Sequence, residues 1–132
     1  MPTMANITVK KNDGTTDQIW TAVQASGGDK SPAIWRNLSV GPAASFQPEM
    51  KMTSRPNGDG SVRRIEGSID WKQYALGTDG INRKVNVGIV KFDVVVPQGM
   101  TSTDLNEFAS QSSNLFGSAL LKQCIKDGFA PQ

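Results

Sequence analysis

The segment from Lys84 to Gln123 constrains this chain more than any other. Lys84 to Pro97 is valine-rich and reads as one long strand. A short turn, Gln98-Gly99-Met100, follows, and a helical run begins at Thr101 and reaches Gln123. Strand side chains alternate between faces, so Val90, Phe92, Val94 and Val96 point one way while Ile89, Lys91, Asp93 and Val95 point the other. The helical run carries one stripe at spacings of three and four: Leu105, Phe108, Ala109, Ser112, Leu115, Phe116, Ala119, Leu120 and Cys124. That is the period of a half-buried helix. One strand face therefore calls for a helix, and the other stays free and polar. Function is expected on that free face, or on the surface where the helices meet a partner.

Upstream the chain alternates strands with turn signals. Ile7 to Lys11 and Asp17 to Gln24 flank Asn12-Asp13-Gly14-Thr15, a hairpin signature because Asp-Gly tolerates positive φ. A loop, Ser26 to Pro32, leads to a short strand, Ala33 to Leu38, carrying Trp35. Ser45 to Arg55 reads as the next strand, with Phe46, Pro48, Met50 and Met52 on one face and Gln47, Glu49, Lys51 and Thr53 on the other. Pro48 lacks a ladder donor, so it marks a bulge or the start of regular pairing. Arg55-Pro-Asn-Gly-Asp-Gly60 is the strongest turn signal. Val62 to Lys72 returns with Ile65, Gly67, Ile69 and Trp71 opposite Arg64, Glu66, Ser68, Asp70 and Lys72. Gln73 to Asn82, with two glycines, reads as a long flexible loop. Thr101 followed by Asp104 resembles a capping box, Gly128 suits a helix end, and Ser112, Ser113 and Gly117 predict a kink or a break into two helices. The expected class is α+β: one domain over 1–132, with an N-terminal hairpin at 7–24, an antiparallel meander at 33–97, and one or two C-terminal helices at 101–127.

Composition narrows the function. The chain has no His, and one Cys cannot build a zinc site of the usual kind. It carries neither a Gly-x-Ser-x-Gly elbow nor a phosphate loop, and its carboxylates are scattered, so no enzyme, cofactor or metal is expected. No apolar run approaches the roughly 20 residues that span a bilayer, and Met1 to Asn6 has no signal-peptide pattern, so no membrane partner is expected. Cys124 reads as a small buried apolar residue in a reducing compartment. Net charge is only +2, yet between Arg36 and Lys91 nine basic residues stand against five acidic ones. That bias suits phosphate, and it equally suits an ordinary solvated strand face. The apolar helix stripe needs a surface, which belongs either to its own sheet or to a second subunit.

In layout, the chain resembles the coat proteins of the single-stranded RNA bacteriophages, the levivirus group. The resemblance covers nearly the whole chain: the hairpin Ile7 to Gln24, the short strand Ala33-Ile-Trp-Arg36, two long strands from Phe46 to Trp71, a loop Lys72 to Arg83, a strand ending in proline, and terminal helices. Phe92 to Phe108 is its most family-like segment. The resemblance implies a homodimer whose sheets join and whose helices cross, through Leu105, Phe108, Ala109, Leu115, Phe116, Ala119 and Leu120. It implies an icosahedral shell, assembled in a bacterial cytoplasm and carried in the virion, with the free sheet face turned inward onto single-stranded viral RNA. By position that face holds Lys51, Thr53, Arg55, Arg64, Glu66, Ser68, Ile89, Lys91 and Asp93. Lys and Arg would meet phosphates, and Thr and Ser base edges. The resemblance also implies binding of an operator hairpin as a translational repressor; Ile89 stands where some relatives place an aromatic, and with the carboxylates here it departs from the pattern of a tight operator site. The rival is a small dimeric sheet-based RNA-binding regulator that forms no shell.

Overall fold

The computed structural model describes residues 1–132. They fall into two units, 1–97 and 98–132. The first is a six-stranded antiparallel sheet whose strands lie in chain order. Its elements are β1 (Ile7–Lys10), β2 (Asp17–Gln24), β3 (Ala33–Arg36), β4 (Glu49–Asn57), β5 (Val62–Leu76) and β6 (Asn82–Pro97). The second unit holds α1 (Ser102–Phe116) and α2 (Ala119–Asp127).

Each hairpin has its own turn chemistry. Between β1 and β2, Gly14 adopts φ 74°, and Asp13 Oδ1 accepts from the backbone N–H of Thr15 and of Thr16, both at 2.9 Å. The Thr16 hydroxyl and these two amides hold the Asp13 carboxyl at about 2, below its usual 3.8. A depressed carboxyl stabilises the turn above its unfolded value and loses that contribution as pH falls from 3.8 through about 2. An NMR titration of Asp13 is expected to show a midpoint near 2, and Thr16→Val should move it back toward 3.8. A wild-type midpoint at the ordinary value would remove this account of the turn.

Two differences from the sequence expectation bear on the polar face. The strand expected from Ser45 begins at Glu49. A single 3-10 turn, Ala44–Phe46, precedes it. Pro48 therefore sits just outside the ladder, where it needs no donor; its carbonyl accepts from Asn37 N–H at 3.0 Å. The second difference is larger. Half of the long loop expected at 73–82 is strand, since β5 runs on to Leu76 and β6 starts at Asn82. What remains is a hydrogen-bonded tip: Gly77 N–H donates to Ile81 O at 2.9 Å, and Asp79 accepts from Ile81 N–H and from both terminal nitrogens of Arg83. Polar and glycine composition suggested a loop, but cross-strand pairing overrides it.

The helices follow their caps. Thr101 Oγ1 accepts from Asp104 N–H at 3.3 Å, and Ser118 Oγ accepts from Leu121 N–H at 3.3 Å to start α2. The run breaks at Gly117 and Ser118, so there are two helices. Gly128, at φ 77°, ends α2 by donating to Cys124 O at 2.8 Å.

Burial is sparse. Ala33, Trp35 and Pro48 are the buried apolar residues, and neither helix buries any residue. On β6 the expected alternation holds in its second half: Val90, Phe92, Val94 and Val96 are half-buried, while Lys91, Asp93 and Val95 are exposed.

Candidate nucleic-acid interface

The register fixes one polar face across β3, β4, β5 and β6. Residues directly opposite each other share a face. Ile34 faces Lys51, and Arg36 faces Glu49. Lys51, Thr53 and Arg55 lie opposite Ser68, Glu66 and Arg64. Ser68, Glu66 and Asp70 lie in turn opposite Lys91, Asp93 and Ile89. All nine residues expected on the RNA face thus occupy one face of three adjacent strands. Six of them, Lys51, Thr53, Glu66, Ser68, Lys91 and Asp93, line a shallow depression of about 360 Å³ with Met52, Gly67 and Phe92. Arg55, Arg64 and Ile89 lie outside that lining.

Charges on the face are largely paired within the chain. Arg55 bonds Glu66 at 3.0 Å. Arg64 Nε sits 3.1 Å from Asp93 without hydrogen-bond geometry, so the contact is ionic. Glu49 takes Arg36 at 2.7 Å and Lys51 at 3.2 Å. Burial would raise the Glu49 carboxyl, but hydrogen bonds from Arg36 and Lys51 outweigh it and hold the group below its ordinary value. Asp70 Oδ1 accepts from Glu49 N–H at 3.0 Å, and Lys72 stands 3.9 Å from its other oxygen. Lys91 has no carboxylate within ion-pair distance. Half-exposed pairs of this kind are worth about 1 kcal/mol or less, and a polyanion can compete for the cations. What they do is set the resting orientation of Arg55 and Arg64 along the face.

Sequence reasoning missed three members. Arg36 joins through Glu49. Tyr74 lies on the same face because β5 alternation runs unbroken through Asp70, Lys72 and Tyr74. Lys84 joins because the β5–β6 register shifts: Gln73 pairs with Asn86, but Tyr74 pairs with Lys84, leaving Val85 as an extra residue. Simple alternation from Ile89 would put Val85 on this face and Lys84 on the other. The shift reverses that, as β-bulges do. Nothing in the sequence announces it.

The arrangement is open, polar and net positive. It offers cationic N–H donors that a phosphate can accept from, and hydroxyls, with no cluster of acidic, Cys or His residues fit for a metal.

No protein-family model matches the chain, and no curated protein matches it in sequence. Solved structures do match it in shape. The virus-like particle of Beihai levi-like virus 21 aligns with TM-score 0.81 and 21% identity over 99% of both chains. The chain has the RNA-phage coat-protein fold. The virus-like particle of bacteriophage NT-214 aligns at 0.79 with 14% identity over 99% of this chain and 100% of that one. The capsid protein of bacteriophage GA aligns at 0.73 with 14% identity, over 96% and 95%. Identity this low leaves the coat-protein fold in common, while the ion pairs and the register shift described above are read from this chain alone.

Proposed function

We propose that this chain is the structural subunit of a viral shell, that it works as a homodimer, and that the polar face packages single-stranded RNA. The observation that carries the proposal is how little the chain buries alone. Neither helix buries any residue, and in the sheet only Ala33, Trp35 and Pro48 are buried among the apolar side chains. The exposed apolar residues sit where such a partner would be needed. Leu115, Phe116 and Leu120 on the helices are 62%, 58% and 57% exposed. β6 ends the sheet, and a 16-residue edge presents unpaired N–H and C=O groups that a second copy can bond. The shared fold with particle-forming proteins supports assembly beyond the dimer. Such a role is structural and needs no catalytic group.

The test is expression of the chain alone, size-exclusion chromatography read at two ultraviolet wavelengths, and electron microscopy. Round particles holding nuclease-protected RNA are expected. An RNA-free dimer that never assembles would favour a regulator instead, and a stable monomer would overturn the proposal.

The ion pairs refine the RNA face. Lys91→Ala is expected to lower packaged RNA more than Arg64→Ala, because Lys91 is free for phosphate while Arg64 is engaged by Asp93. Both variants should still dimerise. Equal RNA content in wild type and Lys91→Ala particles would refute the inward assignment of this face.

A further inference from the structure

We propose that Tyr74 and Lys84, at the outer end of the β5–β6 hairpin, form a subsite for an unpaired nucleotide of single-stranded RNA, the base stacking on the Tyr74 ring and the phosphate meeting Lys84. The proposal rests on the RNA-packaging reading and extends it beyond the residues placed there.

Three observations converge. Tyr74 is 39% exposed and lies on the polar face. Its ring is braced by Phe46, with centroids 5.5 Å apart and planes tilted by 51°. A braced, half-exposed ring is a platform a base can cover at little entropic cost. The register shift at Val85 then places Lys84 directly opposite Tyr74. Cross-strand neighbours stand about 5 Å apart at Cβ, so one nucleotide reaches both. Lastly, most cations on this face are already paired: Arg36, Lys51, Arg55 and Arg64 each have a carboxylate within 3.2 Å, Arg36 and Lys51 sharing Glu49. Lys84 and Lys91 do not, since neither takes part in any of the chain's ion pairs. The unpaired cations therefore lie along β6, with exposed Ile89 and Val87 between them. Lys84 and Lys91 are about 20 Å apart along the strand, too far to share a phosphate. The pattern is an aromatic beside a cation at one end, an apolar stretch, and a second cation. It suits a flexible strand with accessible bases. A rigid duplex keeps its bases stacked and cannot offer one to Tyr74.

The experiment measures binding of the full-length chain, as its dimer, to a fluorescein-labelled single-stranded RNA oligonucleotide of mixed sequence. A blunt duplex of the same sequence is the control. Tyr74→Ala is expected to weaken single-strand binding about tenfold and to leave duplex binding unchanged. Tyr74→Phe should restore it, since the ring alone stacks. Lys84→Gln should reduce the steepness of the salt dependence by about one phosphate contact. Ultraviolet crosslinking of the unsubstituted chain gives a readout that needs no variant to fold: the peptide containing Tyr74 should carry a nucleotide adduct. If Tyr74→Ala binds as tightly as wild type while Lys91→Ala is weakened, the subsite is wrong and the RNA face stands. Crosslinks confined to β4 would likewise overturn the subsite. If the unsubstituted chain binds neither oligonucleotide, the RNA reading falls, and the subsite with it.

Discussion

Gly67→Ala is expected to destabilise the sheet by about 3 kcal/mol and to cut the yield of folded chain severalfold. Gly67 lies in the centre of β5, paired with Met52 on one side and Phe92 on the other. A Cβ added there would stand 2.1 Å from Phe92 Cζ, 2.6 Å from its Cε2 and 2.7 Å from the carbonyl oxygen of Lys51. Real carbon contacts do not close to such distances, so something must move. The Phe92 ring can turn away at the cost of its packing. The Lys51 carbonyl belongs to the ladder and cannot move without straining β4. With only Ala33, Trp35 and Pro48 buried among its apolar residues, the protomer has little reserve to absorb the strain. Chemical denaturation of the purified protein reads the effect as a lower midpoint. Adding Phe92→Leu should recover part of the loss, because it removes the ring and leaves the carbonyl. An unchanged midpoint in Gly67→Ala would show that Phe92 does not lie across the glycine.

The second large effect concerns the helices. Replacing Leu105 and Phe108 together with Asp is expected to abolish the dimer and every larger particle while α1 still forms. Phe108 is 40% exposed and Leu105 half-buried in the single chain. The proposed partner would cover both. An unpaired carboxylate buried there costs several kcal/mol, and two cost more than most interfaces can offset. The helix itself survives because Leu105 lies at the end of its first turn, near the positive end of its dipole, and Phe108 is 40% exposed in the single chain. Circular dichroism should show retained helix, and light scattering a mass of one chain. A folded dimer carrying both substitutions would sink the crossed-helix interface. Ser118→Ala is a useful contrast: it removes the α2 cap and costs about 1 kcal/mol without placing a charge at the interface.

Much of the sheet was legible because its strands alternate in the plainest way. Glu49, Lys51 and Thr53 against Met50 and Met52, or Arg64, Glu66 and Ser68 against Ile65 and Ile69, fix which side turns to the apolar layer. The Asp13-Gly14 and Asn57-Gly58 turns then force neighbouring strands to pair. The caps at Thr101 and Gly128 were readable because capping depends on local side-chain and backbone chemistry. Where local chemistry misled, pairing had outweighed it. Tyr74, Ala75 and Leu76 follow a polar stretch beside glycines, yet they extend β5 because Lys84, Arg83 and Asn82 lie opposite to bond them.

By itself, then, the sequence determined the order of strands and helices, the polar face holding Lys51, Arg64 and Lys91, and the absence of His-based chemistry. Tertiary structure alone decided which of those cations are already satisfied, that Phe92 lies across Gly67, and that Lys84 stands on the same side as Tyr74. The physical reason is that alternation and capping are properties of one segment. Ion pairing, ring packing and register belong to two strands at once, and one extra residue at Val85 is enough to turn Lys84 from one face to the other.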